Sequence, residues 1–111
     1  MMEFRLTPDL TKFIWGYIIF YMWKIYEKRS LEKDLKRLPV LIRKHYEVWK
    51  RVIEPGGPQG LREIKGYHDE ALKGAWKGFR SSRLNKQWRV IYKVESNRFE
   101  IFVVEVNPHE Y

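Results

Sequence analysis

Hydrophobic spacing divides the chain at about Met22. Before that point, Phe13 to Trp23 (FIWGYIIFYMW) forms the strongest apolar run. It has about half of the roughly 20 residues that a membrane-spanning helix needs. A charged cluster follows it with no small-residue cleavage site, so it does not suit a secretory signal. Drawn as a helix from about Pro8 to Tyr21, its apolar side chains point nearly all round, and exposing them to water is unfavourable.

After Met22 the pattern becomes that of a folded domain. Trp23, Ile25 and Glu27 alternate with Lys24, Tyr26 and Lys28, which predicts a strand. Ser30 is placed to cap a helix, with Lys33 rather than a glutamate at the capping-box position, and Leu31, Leu35 and Leu38 recur at helical spacing. Pro39 suits the first turn of a second helix carrying Val40, Leu41, Val48, Trp49, Val52 and Ile53, which Glu54 to Pro58 should stop. Gln59 to Gly74 is irregular and reads as an ordered loop anchored by Leu61, Ile64 and Leu72. Three strands are predicted next, at about Trp76 to Leu84, Trp88 to Val94 and Phe99 to Asn107. The links Asn85 to Gln87 and Glu95 to Arg98 are short enough for antiparallel hairpins.

The predicted fold is therefore α+β with the order β-α-α-β-β-β. A helical hairpin packs on one face of a curved, mainly antiparallel four-stranded sheet, and the other face is partly open. Residues 22–111 form this domain. Residues 1–21 are an N-terminal apolar extension, either an extra helix or a translated upstream stretch, and a chain beginning at Met22 is expected to fold and remain active.

Composition adds a direction. A chain of 111 residues supports one modest core, so binding and chemistry fall on its surface. Lysine and arginine number 22 against 14 acids, for a net charge of +8. Such a surface attracts polyanions, nucleic acid or ribosome first and anionic membrane second. The lack of cysteine excludes disulfides and thiolate chemistry, and three scattered histidines lack zinc-ligand spacing. Neither a metal nor a cofactor is expected, and the cytosol is the default compartment. Aromatics, 16% of the chain, suit either a small core or a base-stacking surface.

Strand periodicity then sorts the cations. Phe79, Ser81 and Arg83 share one face, opposite Arg80, Ser82 and Leu84. Arg89, Ile91 and Lys93 are likewise separated from Trp88, Val90, Tyr92 and Val94, the better core face. Arg83 and Arg89 flank one tight turn, where two guanidinium groups can converge on a phosphate and stabilise charge that develops on it. RNA carries its own nucleophile, the 2′-hydroxyl, so its cleavage needs a base, cations for the phosphorane and an acid for the leaving oxygen. Glu70 and His109 are the best-placed groups for proton transfer, in an order that the pattern leaves open. Asp69 and Glu110 have less obvious partners. Lys73 can add a cation to the same pocket, and Tyr111 can stack on a base or orient a phosphate. Lys77, Arg80, Lys86 and Trp88 are the expected RNA contacts. Taken singly, each has an ordinary reading: a solubilising arginine, a loop glutamate, an inert terminal histidine, a core tryptophan. Their co-occurrence is what points to RNA.

These residues resemble the RelE/ParE superfamily of bacterial toxins, most of all its ribosome-dependent, RNA-cleaving branch with the YoeB and YafQ types. The resemblance rests on Trp23-Lys24-Ile25-Tyr26, the stretch Leu31 to Pro39, Leu72-Lys73-Gly74, Trp76 to Arg80, Trp88 to Tyr92, and His109-Glu110-Tyr111. It implies a toxin that enters the ribosomal A site and cuts mRNA to leave a cyclic phosphate, held in check by a cognate antitoxin protein. By similarity to the YoeB pattern, Glu70 takes the general-base position, Arg89 the transition-state position and His109 the general-acid position. Tyr111 falls near the terminal tyrosine, and Lys73 and Arg83 match flanking basic positions. The YafQ pattern has histidine at the positions of Glu70 and Arg83, and Glu110 departs from the YoeB ending. Alternatives are a ParE-like gyrase inhibitor, a non-catalytic basic module that binds ribosome or DNA by charge, and a peripheral membrane protein that uses the apolar extension.

Overall fold

The computed structural model describes residues 2–7 and 22–108. Their elements are β1 (Phe4–Leu6), β2 (Lys24–Lys28), α1 (Glu32–Lys36), α2 (Val40–Gly56), α3 (Pro58–Arg62), β3 (Glu70–Ala71), β4 (Arg80–Arg83), β5 (Trp88–Glu95) and β6 (Glu100–Pro108). One six-stranded sheet runs in the order β1-β2-β6-β5-β4-β3, with β2 parallel to β6 and every other pair antiparallel. The expected α+β order is present in β2, α1, α2, β4, β5 and β6. Two short strands, β1 and β3, widen the expected four-stranded sheet at its edges.

The core lies between one sheet face and the helices. On α2, Ile42, Tyr46, Trp49 and Ile53 recur at helical spacing and are buried against Ile25, Val90, Tyr92, Ile101, Val103 and Val106. Val40, Leu41 and Val48, rotated off that stripe, are exposed. Trp49, with none of its surface exposed, meets Tyr92 edge-on at 5.3 Å and ties helix to sheet. A second, polar tie joins β2 to α2. The Tyr46 hydroxyl donates to Glu27 Oε2 at 2.6 Å, and Lys50 Nζ lies 3.5 Å from the same oxygen.

Several boundaries differ from the sequence reading, each for a local reason. Ser30 caps nothing: Arg29–Leu31 close into a 3₁₀ turn, and α1 follows without a side-chain cap. The second helix passes through Glu54 and Pro55 to Gly56, and the break comes at Gly57. There φ is 66° and ψ is −158°, a region essentially restricted to glycine. A Cβ at Gly57 would also lie 2.4 Å from the Trp23 indole. The loop expected over Gln59 to Gly74 contains α3 and β3. The strand expected from Trp76 begins only at Arg80, because Gly74 and Gly78, at φ 65° and 96°, turn the chain first.

The N-terminal segment contributes β1, which pairs Arg5 with Glu27 and sets Phe4 edge-on to Phe102 at 5.0 Å. The helix expected from Pro8 to Tyr21 lies outside the described residues. Among the described residues, no helix is long and apolar enough to cross a membrane.

Candidate active site

The β4–β5 hairpin forms the site. Asn85 Oδ1 accepts the backbone N–H of Gln87 at 2.8 Å and of Trp88 at 2.7 Å, which closes the turn. His45 Nδ1 donates to the Leu84 carbonyl at 2.9 Å and fastens the turn to α2. Closure at this register sets Arg83 directly opposite Arg89, so the two guanidinium groups leave the same face, as expected. The next strand outward pairs Glu70 with Ser81 and brings its carboxylate onto that face as well. Glu70 and Arg89 are two strands and one two-residue step apart, about 12 Å between Cα atoms at ordinary strand spacing. Their long side chains can approach one group from two sides.

A bulge completes the face. The β5–β6 register shifts between Ile91, opposite Glu105, and Tyr92, opposite Val103, leaving Val104 as the extra residue. That slip puts Asn107 on the same face as Arg89, its register partner. Asn107 Nδ2 donates to Glu105 Oε2, while Asn107 Oδ1 and Arg89 Nε are buried with no protein partner. A buried arginine donor without a protein partner is open to a ligand, an ion or a water.

His68, Glu70, Ser81, Arg83, Asn85, Lys86, Gln87, Trp88 and Arg89 line this concavity. Three cations surround one carboxylate, so the local field favours an anion. It is an open concavity of about 50 Å³ at the surface.

No protein-family model and no curated protein matches the sequence. Solved structures match the fold. YoeB in its complex with YefM from Staphylococcus aureus superimposes with a TM-score of 0.62 at 20% identity, covering 79% of this chain and 98% of that one. The RelE–RelB complex from Pyrococcus horikoshii gives 0.59 at 21%, covering 74% and 89%, and Escherichia coli YafQ gives 0.60 at 17%, covering 78% and 92%. The chain has the RelE-type toxin fold.

Within this RelE-like frame, the structure brings together Glu70, Arg83, Arg89, Lys86 and Trp88 from the residues singled out in the sequence. Trp88 packs against the core and also lines the concavity. Lys73 and Lys77 are exposed on the turn beyond β3 and do not line it. Arg80 does not line this concavity: its guanidinium points to the helix side, where Nε donates to Asp69 Oδ1 at 2.8 Å. Burial works against its charge, but the Asp69 hydrogen bond and charge outweigh that and raise its pKa. His109 and Tyr111 lie outside the described residues. The last described residue, Pro108, pairs with Trp88 at the rim.

Three residues escaped the sequence reading. Asn85 and Gln87 shape the turn, and their turn position was the available signal. His68 lines the concavity from the turn before β3, at φ 43°, and no strand spacing marks it.

Proposed function

We propose that this chain is the toxin of a toxin–antitoxin pair, an endoribonuclease that cuts mRNA in the ribosomal A site and so inhibits translation. The observation that carries the reading is Arg89, half-buried with Nε unpaired, across from Arg83 in one basic concavity with Glu70. An unpaired buried donor costs about 1–3 kcal/mol, and a phosphate oxygen would relieve it. The RelE-type fold supports the same reading, and a partner protein is supported by the YoeB–YefM and RelE–RelB complexes.

In the proposed reaction Glu70 takes the proton of the 2′-hydroxyl, and that oxygen attacks the adjacent phosphorus. Arg89 and Arg83 hold the charge that grows on the phosphorane oxygens. The bond to the 5′-oxygen breaks, His109 donates a proton to it, and a 2′,3′-cyclic phosphate and a 5′-hydroxyl remain. Tyr111 orients the scissile phosphate, Lys73 adds charge at the edge, and Lys86 and Trp88 hold the flanking backbone and base. Because the nucleophile belongs to the substrate, the protein's part is position, charge stabilisation and the two proton transfers.

The test is inducible expression with primer extension on a cellular mRNA. Growth arrest with ribosome-positioned cuts is expected for the parent, and Arg89→Ala and His109→Ala should lose the cuts. Equal toxicity in all three, with gyrase inhibited, would overturn the proposal.

A further inference from the structure

Asp69 is a buried acid that the proposed chemistry does not use. Its side chain has no exposed surface, yet its neighbours His68 and Glu70 are exposed and line the concavity. Asp69 leads directly into β3, where successive residues take opposite faces, so an Asp69 side chain held on the helix side puts that of Glu70 on the open side.

The hold is extensive. Asp69 Oδ1 accepts from Arg80 Nε at 2.8 Å and lies 2.7 Å from an Arg80 Nη nitrogen. Asp69 Oδ2 accepts from Ser82 Oγ at 2.6 Å and from the Tyr92 hydroxyl. Arg80 and Ser82 belong to β4, and Tyr92 belongs to β5, where it is fully buried against Trp49. The carboxylate thus links a surface loop to the middle of the core.

Besides this side chain, backbone hydrogen bonds hold the two ends of the loop: His68 N–H donates to the Lys65 carbonyl at 3.0 Å, and Leu72 N–H to the Phe79 carbonyl at 2.9 Å. β3 is two residues long and pairs only Glu70 with Ser81 and Ala71 with Arg80. His68 sits in the left-handed region, at φ 43° and ψ 46°, where a non-glycine residue persists only if its surroundings impose it.

We infer that Asp69 is a positioning residue of the site: its buried carboxylate sets Glu70, and His68 with it, over Arg83 and Arg89. The kinetic consequence rests on the nuclease reading, while the positioning can be read independently of it.

The experiment compares the parent with Tyr92→Phe, Asp69→Asn, Glu70→Gln and the Asp69→Asn/Glu70→Gln double variant. Ribosome-dependent cleavage, thermal unfolding and backbone amide NMR are measured for each. A displaced base loses reaction rate more than substrate binding, so Asp69→Asn is expected to lower kcat about 10- to 100-fold, with KM within about twofold. The double variant should be no slower than Glu70→Gln alone, because both changes remove one function.

Tyr92→Phe removes one contact and keeps the ring against Trp49, so it remains informative if Asp69→Asn fails to fold. It should reduce kcat severalfold and shift the amide signals of residues 68–71 well beyond those on the far side of the sheet. Variants that lower only the melting temperature, with parental kcat per folded molecule and multiplicative effects at Asp69 and Glu70, would overturn the inference. A parent without cleavage would refute the nuclease reading instead. In that case, unmoved amide signals at 68–71 in Tyr92→Phe would overturn the positioning role as well.

Discussion

Arg89 should cost the folded protein stability, and replacing it should reveal that cost. It stands directly opposite Arg83, and its Nε is buried without a partner. Like charges across a strand pair destabilise by roughly 0.2–1 kcal/mol. Arg83 is exposed, so solvent and salt reduce this to about 0.3 kcal/mol. The unpaired donor is worth about 1–3 kcal/mol, and the low end applies because Arg89 is only half-buried. Arg89→Met keeps an unbranched apolar stem and removes both penalties. A gain of about 1–1.5 kcal/mol follows, a rise of about 5–10 °C in Tm for a domain of this size. Urea unfolding and calorimetry measure the gain, and 1 M salt should shrink it by a few tenths of a kcal/mol as the like-charge part is screened. Cleavage by the same variant should fall by at least about 10²-fold. If Arg89→Met is instead less stable than the parent, Arg89 is a structural arginine and its open Nε says nothing about a phosphate.

Other outcomes test the frame around the site. Gly57→Ala should lose about 2–4 kcal/mol in urea unfolding, since it combines a glycine-only backbone with a 2.4 Å approach to Trp23. Tyr46 and Tyr92 have pKas raised above the ordinary 10.0, chiefly by burial and then by the charges of Glu27 and Asp69 respectively. A raised folded-state pKa means that stability is full below pH 10 and declines as pH rises above it, so the urea midpoint should fall there. Replacing either tyrosine with phenylalanine should flatten the decline. A chain beginning at Met22 should fold and keep its activity. It loses the β1–β2 pairing, the Phe4–Phe102 contact and the partly exposed Arg5–Glu27 pair, so its stability should fall; an unfolded product on circular dichroism would refute this.

The elements that were legible in the sequence are those in which one residue's neighbours decide its place. Val90 and Tyr92 alternate with Arg89 and Lys93, and that period alone assigned the core face of β5. The turn between Arg83 and Arg89 was equally local, and it brought two cations of the site together. Long-range pairing was not legible. Asp69 lacked an obvious partner because its hydrogen-bonding partners Arg80, Ser82 and Tyr92 become neighbours only once β3, β4 and β5 align. The same alignment pairs Arg80 with Asp69 on the helix side. Asn107 comes beside Arg89 through a bulge at Val104, and a strict period of two has no place for an extra residue. Apolar count also misled where rotation mattered: Val40, Leu41 and Val48 are as apolar as the α2 core residues but face solvent.

The central claim is that the substrate's own 2′-hydroxyl is the nucleophile beside Glu70 and Arg89. Its most direct test is a ribosome programmed with an mRNA that carries one 2′-deoxynucleotide immediately 5′ of the scissile phosphate. Cutting at that phosphate should be abolished, while the all-ribose mRNA yields an upstream fragment ending in a 2′,3′-cyclic phosphate. Undiminished cutting of the deoxy-substituted mRNA would contradict the account.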